Sequence, residues 1–219
     1  DEGNIAIEGF YDDVKPLENW EREMWAQVPG MSKADMLENT GSPDLYGEPG
    51  YSSAERLWAR PTAEVNGIGG GYQGEGSKTV LPSEAMAKFS FRLVPNQDPK
   101  DISDKVVKHL EKHTPAGVTV EVEVGHDGKP YYSDPNSVFG QAGQVALEKA
   151  FGKKPVLIRE GGSIPIIKDM QDILGADSLL LGLALPDCQI HAPNENYYIE
   201  NFEGGIKMSQ ILLEELAKV

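Results

Sequence analysis

The chain has 219 residues, 39% of them hydrophobic and 25% charged, which is the balance of an ordinary folded protein and excludes a disordered or fibrous one. Thirty-five acidic residues against twenty basic ones give a formal net charge of −15, which repels phosphate backbones and anionic lipid, so neither nucleic acid nor a membrane surface is an expected partner. The single cysteine, Cys188, excludes an internal disulfide and a cysteine-based metal cluster, and no stretch approaches the roughly 20 apolar residues of a membrane span.

In chain order, the acidic start DEGNIAIEGF has neither the basic nor the apolar region of a signal peptide, and it reads as the interior of a longer polypeptide. With one cysteine, a reducing, cytoplasmic setting is the expectation. Residues 1 to 60 are irregular, with short helical patterns in NWEREMWAQV and SSAERLWAR separated by turns such as SPDLYGEPG. PTAEVNGI alternates apolar and polar residues as a strand, and the loop GGGYQGEGSK follows it. In SEAMAKFSFRLVP, Ala85, Ala87, Phe89, Phe91 and Leu93 share one face of a half-buried strand, leaving Lys88, Ser90 and Arg92 on the other. Asp98 and Pro99 open a helix on which Ile102, Val106, Val107 and Leu110 recur at helical spacing. GVTVEVEVGH alternates as a further strand, so the first region predicts an antiparallel sheet with helices on one face, an α+β arrangement.

After KPYYSDP the pattern changes. NSVFGQAGQVALEKAFG, SIPIIKDMQDILG and ENFEGGIKMSQILLEELAKV read as helices, with KPVLIRE and DSLLLGLAL as apolar strands between them. That alternation predicts part of a mainly parallel α/β sheet. No internal repeat is present.

Four places carry candidate chemistry. GGYQGEGSKT approaches the phosphate-cradling pattern G-x-x-x-x-G-K-[ST], but Ser77 separates Gly76 from Lys78 and no apolar helix follows, which leaves a glycine hairpin. In REGGSIPI the backbone amides of Gly161, Gly162 and Ser163 precede a helix, where they can hold an anion or where Ser163 can serve as a plain cap. Arg92 on the polar strand face and His126 in GHDGKP are either solvated surface or ligand contacts, and His109 and His113 lack the adjacent glutamate of H-E-x-x-H. His191 stands among Asp, Asn and Glu in LPDCQIHAPNENYYI, as a structural hydrogen-bonding group or as a ligand.

SKTVLPSEAMAKFSFRLVPNQDP, GHDGKPYYSD, REGGSIPI and IHAPNENYYIENFEGG occur together and in this order. In that combination the chain resembles the zinc-dependent metallopeptidase family of cytosolic nonspecific dipeptidase, carnosinase, aminoacylase and succinyl-diaminopimelate desuccinylase. The likeness is strongest to the dipeptidase and carnosinase branch and weakest over the first 60 residues. It implies a catalytic α/β domain with two metal ions, interrupted by an α+β lid that forms a homodimer. Residues 1–132 would be the lid without its start, and residues 133–219 the C-terminal part of the catalytic domain. By the same resemblance His191 is a zinc ligand, with manganese or cobalt as alternative metals. Thr79, Arg92, His126, Gly161, Gly162 and Ser163 surround the substrate, a dipeptide or an acylated amino acid, and Arg92 suits its terminal carboxylate.

The family's mechanism uses a metal-activated water, a glutamate base and a lid histidine. The segments that carry the base, the lid histidine and the other ligands have no counterpart in these residues, so the expectation is a portion of such a hydrolase, inactive by itself. The rival expectation is a non-catalytic dimerisation or binding module.

Overall fold

A computed structural model of the chain describes residues 3–160 and 164–218. It divides into two compact units, one holding the residues up to Tyr131 together with Gly162–Pro165, the other Tyr132–Gly161 and Ile166–Val219.

The first unit begins with three short helices, α1 (Asn19–Trp25), α2 (Lys33–Thr40) and α3 (Ser53–Ala59). Each has a local reason to start where it does. The Ser32 and Ser52 hydroxyls accept from the amides of Asp35 and Glu55, and the Glu21 carboxylate accepts from the Glu18 amide at 2.8 Å. α1 and α3 then pack through Trp25 and Trp58, whose rings meet edge to face at 5.4 Å, with Ala54 and Ala59 completing the cluster. Burying each indole supplies roughly 4–6 kcal/mol of transfer free energy. Arg22 Nη1 donates to Glu55 Oε1 at 2.6 Å across the same pair of helices, so the buried carboxylate has a partner.

The expected hairpin follows. β1 (Thr62–Gly70) pairs antiparallel with β2 (Ala85–Arg92), from Thr62 opposite Arg92 to Gly70 opposite Ala85, with a bulge at Asn66 that shifts the register between Val65 and Gly67. The strand is less buried than its alternation suggests, since Phe89 is 47% exposed and only Phe91 tucks inward, its ring 5.7 Å from that of the buried Phe10. Gln97 locks the turn after β2. Its side chain accepts from the Val94 amide and donates to the Phe10 carbonyl at 2.8 Å, so the NQDP motif has a structural task. Asp98 then caps α4 (Pro99–His113), accepting from the amides of Lys100 and Asp101. Ile102 is buried, while Val106 and Leu110 face a groove of about 590 Å³ that Val65, Phe89 and Phe91 of the sheet also line.

In the second unit α5 (Val138–Phe151) packs on α7 (Ile199–Leu216), with α6 (Pro165–Leu174) and a single 3₁₀ turn (Pro186–Cys188) between them in the chain. Leu179, Leu181 and Leu183 point in alternation at the glycines of these helices. The first two lie against Gly143 of α5, and Leu183 lies against Gly205 of α7. That period of two is the geometry the DSLLLGLAL pattern predicts.

The ladder expected there is missing, as it is for GVTVEVEVGH and KPVLIRE: β1 and β2 are the strands among the described residues. A strand is defined by hydrogen bonds to a partner edge, and these segments have no such edge in either unit. Val118, Val120, Val122 and Val124 accordingly remain 37 to 61% exposed. On α7 the stripe Ile199, Phe202, Ile206 and Leu213 is likewise exposed, while Gly205 and Met208 are buried. No described helix is long and apolar enough to cross a membrane.

Candidate functional site

The loop that presents His191 is built almost entirely from its own backbone. The 3₁₀ turn is closed by the Cys188 amide donating to the Leu185 carbonyl at 3.0 Å, and the Leu185 amide donates to Cys188 Sγ at 3.3 Å. Cys188 is buried, which pins the turn to the unit. The chain then reverses through three residues with positive φ, Gln189 (51°), His191 (63°) and Asn194 (65°). Left-handed backbone costs an L-residue roughly 1–2 kcal/mol, so this run is strained and must be held by its surroundings. What holds it is a set of short bonds. Ala192 donates to the Gln189 carbonyl at 2.9 Å, Asn196 donates to the Cys188 carbonyl at 3.0 Å, and the Asn196 side chain reaches the Asn194 carbonyl at 3.3 Å.

The exit is fastened too, because the Tyr198 hydroxyl donates to Asp187 Oδ2 at 2.6 Å across the base of the loop. That hydrogen bond to a carboxylate holds the proton on the phenol and raises the Tyr198 pKa above its ordinary value. The His191 side chain is left exposed on a preset loop immediately before α7, where an imidazole is available to a ligand. Nothing local in the sequence announced the Asp187 to Tyr198 clamp, since the two residues stand eleven apart.

The other expected contact residues fall in the first unit or outside the described residues. Thr79 is exposed in the loop between β1 and β2, and Arg92 ends β2 opposite Thr62. About 23 Å of strand separates the two ends of β2, at roughly 3.3 Å per residue. The glycine loop is not a phosphate cradle: the Tyr72 hydroxyl donates to the Glu75 carbonyl at 3.0 Å, and Lys78 Nζ sits over the Tyr72 ring at 4.5 Å. His126 is exposed beyond Val124. Gly161, Gly162 and Ser163 lie outside the described residues.

A metal ion needs three or more donors around it in a site of this kind. Among the described residues no group of three or more His, Cys, Asp or Glu side chains is placed to hold one. The described donor set therefore does not fit a complete metal centre.

Residues 17–118 match the family described as the peptidase dimerisation domain of the M20 peptidases. The Cys-Gly metallodipeptidase DUG1 of Saccharomyces cerevisiae is 32% identical over 97% of this chain and 44% of its own length. The Beta-Ala-His dipeptidase of Rattus norvegicus is 28% identical over 99% of the chain and 44% of its own length. Among solved structures, an M20 family metallo-carboxypeptidase from Sulfolobus solfataricus superposes with a TM-score of 0.83 at 32% identity, covering 99% of this chain and 49% of the other. The di-peptidase Dug1p from Saccharomyces cerevisiae gives a TM-score of 0.80 at 31% identity over 46% of its chain. The chain thus spans about half the length of the curated relatives it matches, and those relatives are dipeptidases, DUG1 a metallodipeptidase.

Proposed function

From the premise that residues 17–118 form an M20 peptidase dimerisation domain, we propose that the chain is a working portion of a metal-dependent hydrolase of dipeptides or acylated amino acids. The observation that carries this reading is the coincidence of whole-chain likeness to metallodipeptidases with an exposed His191 on a strained, hydrogen-bonded loop. In this reading His191 is one zinc ligand of a two-metal centre, with manganese or cobalt able to substitute. The remaining donors come from polypeptide other than these 219 residues. The exposed apolar side chains of the α7 stripe and of the Val118 to Val124 row support that part of the reading, since further polypeptide would cover them.

Arg92 supplies a guanidinium for the substrate's terminal carboxylate, with His126 and the amides around Gly161, Gly162 and Ser163 as further contacts, and Thr79, beyond the opposite end of β2, joins the same contact set only across the dimer. The first unit brings two copies together as a homodimer, and the setting is the cytoplasm. A second reading rests on the donor count: a chain with no three-donor group among its described residues can act as a dimerisation module without catalysis.

The test is hydrolysis of Cys-Gly and Beta-Ala-His by the 219-residue chain supplied with zinc or manganese. No turnover is expected. Turnover by this chain alone would overturn the assignment of the missing donors, and a monomer by light scattering would overturn the dimer.

A further inference from the structure

The last two turns of α4 hold a feature that the hydrolase reading does not use. His109 and His113 stand four residues apart, so one face of the helix carries both. Their rings are 4.2 Å apart between centroids and tilted by 35°. His113 Nδ1 lies 2.7 Å from the His109 carbonyl oxygen. A carbonyl only accepts, so Nδ1 carries the hydrogen and the lone pair of His113 is at Nε2, the atom that points away from the backbone. An imidazole whose inner nitrogen is fixed by a backbone carbonyl is the arrangement that orients histidine ligands in metal sites.

We propose that His109 and His113 chelate one borderline transition-metal dication, Cu²⁺ in preference to Ni²⁺ or Zn²⁺, at the carboxyl end of α4. Two nitrogens about 2 Å from one copper ion in cis positions of a tetragonal site are about 2.8 Å apart, so the two rings, now 4.2 Å apart between centroids, must rotate about their side-chain bonds to turn both lone pairs on one ion. The preference for copper follows from the stability order of imidazole complexes. The negative end of the helix dipole favours a cation there. Two of the neighbouring ammonium groups are already matched, Lys105 by Asp101 at 2.6 Å and Lys112 by Glu8 at 3.3 Å. His113 is exposed and His109 half-buried beside the groove, so the pair is open to solvent and water completes the coordination.

The probe is CuCl₂ titrated into the 219-residue chain, read by calorimetry and by electron paramagnetic resonance, with His109→Gln, His113→Gln and His191→Gln variants whose helicity is checked first. One Cu²⁺ per chain with two imidazole nitrogens is expected. Each of the α4 variants should weaken that binding by about tenfold or more and leave one imidazole in the spectrum. His191→Gln should leave it unchanged. Binding that survives both α4 substitutions, or that disappears with His191→Gln, overturns the proposal.

Discussion

Removing Arg60 or Glu48 tests how the first unit is held at the entry to its sheet. Arg60 ends α3 two residues before β1, and its Nε and Nη2 each donate to a different Glu48 oxygen at 2.7 Å. Both side chains are nearly buried, at 11% and 13% exposure, and the guanidinium also lies over the Tyr51 ring at 4.5 Å and the Tyr11 ring at 5.1 Å. At an effective dielectric of about 20 the attraction of such a pair is about 4 kcal/mol, most of it offset by desolvation. Truncating one partner forfeits the attraction and leaves the other charge buried, which costs about 3–5 kcal/mol.

Glu48→Ala leaves Arg60 with its two rings, worth about 0.5–2 kcal/mol, so its cost should fall near 3 kcal/mol. Arg60→Ala loses rings and pair together, for about 4 kcal/mol. The double variant should cost about 4–5 kcal/mol rather than the sum of about 7, a coupling of about 2–3 kcal/mol. The assay is urea unfolding followed by tryptophan fluorescence. All three tryptophans, Trp20, Trp25 and Trp58, lie in the first unit, so the signal reports it alone. Single variants that each cost under about 1 kcal/mol and add without coupling would show that the Arg60–Glu48 pair does not hold this part of the unit.

Three further outcomes are expected. A Cβ at position 140 would lie 2.6 Å from the Pro135 carbonyl oxygen and 2.7 Å from that of Asp134, so Gly140→Ala should destabilise the start of α5 by about 1–3 kcal/mol in spite of its better helix propensity. A variant more stable than the parent by circular dichroism would contradict that. Asp187→Asn should return the Tyr198 phenol toward its ordinary value of 10.0. The Tyr198 contribution to stability is present below that ordinary value and is lost as pH rises through the elevated one, and phenolate absorbance against pH reads the difference. In an assembled enzyme, Arg92→Ala should raise KM for substrates with a free carboxylate and leave kcat nearly unchanged. Equal losses in both would point to a structural role.

Local features of this fold were legible because their causes are local. Asp98 and Pro99 mark α4 by supplying an acceptor for its first free amides and a preset φ. The alternation of Ala85 to Leu93 identifies β2, yet it cannot say which face is covered, and Phe89 stays exposed. For Val118 to Val124 the alternation reads as a strand, but the hydrogen bonds of a strand belong to its partner, and period alone does not supply one. The bulge at Asn66 escaped notice for the same reason, since it exists only in the register with β2. His191 was legible as a residue, whereas its left-handed backbone follows from the bonds among Cys188, Gln189 and Asn196, which sequence spacing does not reveal.

The most direct measurement joins the 219 residues to the part of DUG1 that they do not match and compares metal content and Cys-Gly hydrolysis with and without His191→Ala. A metal-loaded, active protein is expected, whose bound metal falls and whose turnover disappears when the imidazole is removed. Metal content and turnover unchanged by His191→Ala would contradict the ligand role of His191.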